Sequence, residues 1–219
     1  MEIKALVSQM TLEEKAGLCS GLDFWHTKSV ERLGVPSVMV SDGPHGLRKQ
    51  DDKGDHLGIN DSIKAVCMPA ASATAASFDR DLIRKMGEAI GDSCQHEKLS
   101  VVLGPAVNIK RSPLCGRNFE YFSEDPFLTG VCACAITKGV QENHQVLVCP
   151  KHFAVNEQET YRRGNAKKQY DAVDSVITER AARELYLKPF EMLVKKANVR
   201  CIMTVSYTHL RAHETVLDL

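Results

Sequence analysis

The chain has 219 residues, 43% of them hydrophobic, which is the make-up of an ordinary globular domain rather than a disordered or membrane-spanning chain. Lysine plus arginine and aspartate plus glutamate each total 28, so the formal charge is zero and no broad field draws the protein to nucleic acid or anionic lipid. One soluble domain acting on a small neutral substrate is the expectation, and no apolar run approaches the roughly 20 residues of a membrane-spanning helix.

The opening Met1-Glu2-Ile3-Lys4 leads into an amphipathic stretch without the basic, apolar and small-residue succession of a signal peptide, which predicts a cytoplasmic protein. Thr11-Leu12-Glu13-Glu14 fits a capping box, with the Thr11 hydroxyl accepting from the amide three residues on and Glu14 reaching back; the helix it starts should end near Gly21. Val35 to Val40 reads as a buried strand running into the loop Asp42-Gly43-Pro44. Behind Asp79, the residues Leu82, Ile83, Met86, Ile90 and Cys94 recur at helical steps and predict one buried stripe.

A second strand is predicted over Ser100 to Leu103, followed by a long polar loop from Arg111 to Glu124. Asp125-Pro126 signals a helix start, carrying an apolar stripe through Leu128, Val131, Ala135 and Ile136. Val146 to Cys149 is the next strand, and Lys151-His152 follows it. Thr178 to Ala197 reads as one helix kinked at Pro189, and Val199 to Thr204 as a last strand. Short apolar strands alternating with helices imply parallel βα units, in the layout of a barrel whose active face lies at the strands' C-terminal ends. The fold class expected is therefore α/β, an incomplete TIM-like (β/α) barrel.

The eight cysteines, Cys19, Cys67, Cys94, Cys115, Cys132, Cys134, Cys149 and Cys201, are scattered through a chain too large to need disulfide staples, and are expected to be reduced thiols. Cys132 and Cys134 form the only close pair, but positions i and i+2 of a helix face different ways, so no metal site is expected.

Four polar clusters follow strand ends: Ser41 to Arg48, Gly104 to Asp125, Lys151-His152-Phe153, and the region after Thr204. Singly, each has an ordinary explanation: Asp42 as a turn former, Arg117 with Glu120 as an ion pair, Lys151 and His152 as a solvated loop. Recurrence at the same end of successive strands would instead converge them on one cavity. There Asp42 would accept from sugar hydroxyls, while Arg117, Lys151 and His152 would donate. No phosphate loop, nucleophile elbow or zinc-protease signature competes with that reading.

Ser41-Asp42-Gly43-Pro44-His45-Gly46-Leu47-Arg48, the run from Gly104-Pro105 to Gly116-Arg117-Asn118-Phe119-Glu120 with Ser123-Glu124-Asp125-Pro126, and Lys151-His152-Phe153-Ala154-Val155-Asn156 resemble successive motifs of family three β-glucosidases. Thr178 to Phe190 resembles the helix that follows in those enzymes, and the likeness runs in order from about Met10 to Thr204. The resemblance implies a retaining glycoside hydrolase that removes terminal β-D-glucosyl residues from a small β-glucoside or oligosaccharide. It implies that Asp42 holds the distal hydroxyls of the glucosyl unit, with Arg117, Lys151 and His152 around the others. Neither a cofactor nor a metal is implied. The related β-N-acetylglucosaminidases continue the third motif with Pro-Gly-His-Gly-Asp, where this chain has Ala154-Val155-Asn156, which favours the glucosidase branch.

Two departures matter. The retaining reaction needs an aspartate nucleophile and a glutamate acid/base about 5 to 5.5 Å apart. The family's nucleophile stands on a Ser-Asp-Trp stretch, yet the one tryptophan here is Trp25, so both catalytic carboxylates are expected beyond this chain and none of its residues is assigned a catalytic role. After Thr204 the family pattern stops: Val205 to Leu219 resembles a translated sequencing adapter, and the domain is expected to span residues 1–204 with a foreign tail over 205–219. His209 and His213, spaced like metal ligands, fall in that tail. Two alternatives remain, a non-catalytic sugar-binding module and a Schiff-base lyase using Lys151. Oligomeric state, aglycone and exact sugar preference are not legible.

Overall fold

The computed structural model describes residues 2–50, 62–142, 144–162 and 172–205. In chain order it contains α1 (Ile3–Ser8), α2 (Leu12–Ser20), β1 (Val40–Asp42), α3 (Ala71–Ala76), α4 (Arg80–His96), β2 (Val101–Leu103), α5 (Pro126–Glu142), β3 (Leu147–Val148) and β4 (Lys151–Phe153). A further helical stretch comprises α6 (Glu179–Ala181), continued by a π-helical turn over Ala182–Tyr186, and α7 (Lys188–Ala197); β5 (Met203–Thr204) closes the set. Among the described residues no helix is long and apolar enough to cross a membrane.

The strands are parallel. β1, β2 and β3 form one ladder in that order, with Val40 opposite Val101 and Val101 opposite Leu147. β4 continues β3 after Cys149-Pro150 and pairs with β5, Lys151 standing opposite Met203. Backbone bonds from Lys151 to the Pro105 carbonyl (3.0 Å) and from Val107 to the Lys151 carbonyl (2.8 Å) hold the segment after β2 against β4. Consecutive strand ends are thereby carried side by side.

The main core lies between this sheet and α4, α5 and α7, where Ile83, Ile90, Ala133, Ile136, Phe190 and Leu193 pack with Val102 and Val148. Several expected elements shift. The first strand is not Val35 to Val40 but starts at Val40 and includes Asp42, because Val35 pairs with Val30 and Val38 bonds the Thr27 hydroxyl, leaving that stretch half-exposed against a neighbouring loop. In α4, Leu82 is exposed and the buried line is Ile83, Gly87, Ile90, Gly91 and Cys94, so small residues do part of the work given to large ones. α5 is buried on most of its circumference, Thr129, Cys132, Cys134 and Thr137 included, because α4 and α7 flank it on two sides. No single stripe describes such a helix.

The helix over Thr178 to Ala197 is broken rather than kinked. Its first part ends in the π-helical turn, and α7 restarts at Lys188 with Pro189 in its first turn, where a missing N–H costs no hydrogen bond. Thr11 and Glu14 make both bonds of the expected capping box, at 3.2 and 2.8 Å, and α2 ends at Gly21. Asp79 caps α4, and Asp125 accepts from the Leu128 amide at 2.6 Å to start α5. Of the expected tail, Val205 is buried and its amide bonds the Phe153 carbonyl at 2.7 Å; residues 206–219, with His209 and His213, lie outside the described residues.

Candidate sugar-binding site

Asp42 ends β1, and the chain then turns through Gly43 to Gly46. Gly46 has φ 125°, and a Cβ there would stand 2.2 Å from the Val66 carbonyl oxygen, so the turn is open to glycine alone. The turn carries His45, which lines the cleft described below. Arg117 and Glu120 come from the loop between β2 and α5, where Asn118–Glu120 form a short 3₁₀ turn. Lys151 opens β4.

These groups meet. Lys151 Nζ donates to Asp42 Oδ1 at 3.0 Å and lies 3.6 Å from Glu120 Oε2. Arg117 Nε donates to Glu120 Oε1. The side chains of Lys151 and Glu120 are each 5% exposed, against 31% for Asp42, so Asp42 is the carboxylate that an incoming ligand reaches. Burial opposes the charge of Arg117, but the Glu120 carboxylate beside it outweighs that and holds the guanidinium above its ordinary range. All of these residues line one cleft of about 660 Å³, whose lining also includes the apolar Leu47, Ile63, Val66 and Met68.

His152 is treated differently by the fold. It is buried on β4 beside Lys151, behind the lining of the cleft. Its backbone N–H donates to Asn108 Oδ1 at 2.8 Å, which fixes that amide as acceptor; the ring Nδ1, 3.1 Å from the same oxygen, therefore carries the proton. Asn108 Nδ2 in turn donates to the His152 carbonyl at 3.1 Å. Nε2 is left with its lone pair, and His152 is not among the residues that line the cleft. Burial, joined by the positive charges of Arg117, Lys151 and Arg162, pushes the imidazole down to about 2 and keeps it neutral.

Glu120 makes the ion pair with Arg117 that the sequence suggested, as a buried carboxylate that also lies 3.6 Å from Lys151 Nζ. Three participants are not evident from the sequence. Asn108 orients His152. Glu157, also buried, accepts from the Ile109 amide at 3.1 Å and from Asn108 at 3.4 Å, and burial raises its carboxyl to about 7. His45 lines the cleft with a buried Nε2 that has no partner among the described residues, and burial holds it below its ordinary value despite the nearby Glu120. The spacing of Asn108 and Glu157 carries no signal, since their partners stand more than forty positions away in sequence. Among the described residues no group of three His, Cys, Asp or Glu side chains is placed to hold a metal ion.

Comparison with known proteins adds identity to this geometry. The chain is 54% identical over 203 residues to thermostable beta-glucosidase B of Acetivibrio thermocellus, covering 93% of this chain and 26% of that protein. It is 48% identical over 198 residues to an exo-alpha-(1->6)-L-arabinopyranosidase of Bifidobacterium longum, covering 90% and 25%. The crystal structure of the beta-glucosidase from Kluyveromyces marxianus in complex with glucose superposes with a TM-score of 0.82 at 39% identity, over 95% of this chain and 23% of that one. The chain thus spans about a quarter of the length of the curated relatives it matches. The model of the glycosyl hydrolase family 3 N terminal domain matches residues 20–216, and the chain belongs to that family.

Proposed function

We propose that the chain supplies the glycosyl-binding part of a retaining β-glucosidase, its parallel strands forming part of a (β/α) barrel. One observation carries this reading: Asp42, Lys151, Glu120 and Arg117, borne on three separate segments, line the wall of one cleft with alternating acceptors and donors. A pyranose ring presents hydroxyls that both donate and accept, and fixed charged partners bind such groups in a defined orientation. The apolar residues of the same lining suit the ring's C–H face.

In this reading the nucleophile and the acid/base belong to sequence outside these residues, so the chain binds sugar without forming a glycosyl intermediate. Hydrolysis of p-nitrophenyl β-glucoside tests it. The purified 219-residue chain should give no turnover above buffer, while a whole protein that carries this domain hydrolyses the substrate; robust turnover by the chain alone contradicts the reading.

A second sugar has specific support in the 48% identity to an arabinopyranosidase. The same whole protein assayed on p-nitrophenyl α-L-arabinopyranoside separates the two, and a kcat/KM above that for the β-glucoside would reassign the substrate.

A further inference from the structure

In sequence the close cysteine pair is Cys132 and Cys134, on α5. The fold selects another pair. Lys151 on β4 stands opposite Met203 on β5, and the Met203 amide donates to the Pro150 carbonyl at 2.9 Å. Cys149 and Cys201 are separated by the same interval of 52 positions, so the parallel register continues backwards and sets them side by side, with their sulfurs 3.0 Å apart. All eight cysteines are free thiols, and among the described residues no other two are in sulfur–sulfur contact. Cys149 is buried, whereas Cys201 is partly open to solvent.

We infer that Cys149 and Cys201 form a dithiol modification site that is oxidised by a low-molecular-weight disulfide to an intrachain bond between the segments leading into β4 and β5. Cys201, the more open thiol, gives its proton to water and attacks one sulfur of the small disulfide. The S–S bond of that molecule breaks, one half leaves as a thiolate that takes up a proton, and the other half remains joined to Cys201. Cys149 then loses its proton, attacks Cys201 Sγ and expels the second small thiol. The two cysteines together lose two protons and two electrons, and the small disulfide, gaining both, becomes two thiols. Covalent geometry needs the sulfurs about 2 Å apart, so the pair closes by roughly 1 Å of movement.

The order of attack gives each single variant its own signature. The wild-type chain is incubated with oxidised glutathione, its remaining thiols are alkylated, and unreduced peptides are mapped by mass spectrometry, with circular dichroism confirming the fold before and after. The expected product is one cross-linked peptide pair containing Cys149 and Cys201, reversed by dithiothreitol. Cys149→Ser should keep glutathione on Cys201, and Cys201→Ser should leave Cys149 free. Failure of either variant to fold leaves the wild-type map to decide. Glutathione only on the exposed Cys19 and Cys67, with Cys149 and Cys201 still alkylated, would overturn the inference, as would cross-links spread over several cysteines. The site stands independently of sugar binding.

Discussion

Asn108 fixes the tautomer of the buried His152. By accepting from both the backbone and the ring of His152 it commits the Nδ1 proton and leaves Nε2 an acceptor, a detail that neither motif spacing nor residue type reveals. Behind it, Glu157 braces Asn108 and the Ile109 amide from a buried position. The two titrating groups act on stability in opposite senses. His152, depressed from 6.5 to about 2, contributes stability that is present above pH 6.5 and lost as pH falls towards 2. Glu157, raised from 4.5 to about 7, contributes stability that is present below pH 4.5 and lost as pH rises through 7. Between pH 4.5 and 6.5, where both act, the slopes oppose each other. Glu157→Gln removes one of them, so its stability relative to wild type, measured by urea unfolding, should rise by about 2 kcal/mol from about pH 5 to about pH 7. A constant difference across that window would show that Glu157 does not hold its proton as the burial implies.

Between elements, α4 and α5 cross at backbone contact. A Cβ on Gly139 would meet the Arg84 carbonyl oxygen at 2.1 Å and Gly87 Cα at 2.9 Å, so backbone touches backbone at this crossing. Gly139→Ala should cost about 2–3 kcal/mol in urea unfolding, whereas Gly116→Ala, with nothing within 4 Å of the added carbon, should stay within about 0.5 kcal/mol. Equal effects would place the tight contact elsewhere. Local chemistry announced the caps at Thr11, Asp79 and Asp125, because a cap is satisfied by residues two or three positions away. Partners distant in sequence decided the rest. Leu82 follows the helical period yet faces solvent, since Gly87 and Gly91 bring the neighbouring helix and His144 onto α4 without large side chains. Val35 to Val38 has strand composition but pairs only locally with residues 27–30, and the sheet begins where β2 is within reach.

Across the whole molecule, parallel register turns motifs scattered over more than a hundred positions into one wall. The order of strand-end clusters was legible because each follows an apolar run, and the resemblance to family three β-glucosidases rested on the same clusters. Which side chains face the cleft was not legible, as the contrast between Lys151 on its lining and His152 behind it illustrates. Asp42 is the open member of the charged wall, tied to Lys151 across 109 positions of sequence. Loss of one charge-assisted partner should cost about 1.5–3 kcal/mol, tenfold or more in affinity. The central claim is tested most directly by titrating glucose into the 219-residue chain by calorimetry, alongside Asp42→Ala with its fold checked by circular dichroism. Saturable binding by the wild-type chain that falls about tenfold or more in the variant is the predicted result. Binding that is absent, or unchanged in Asp42→Ala, would contradict it.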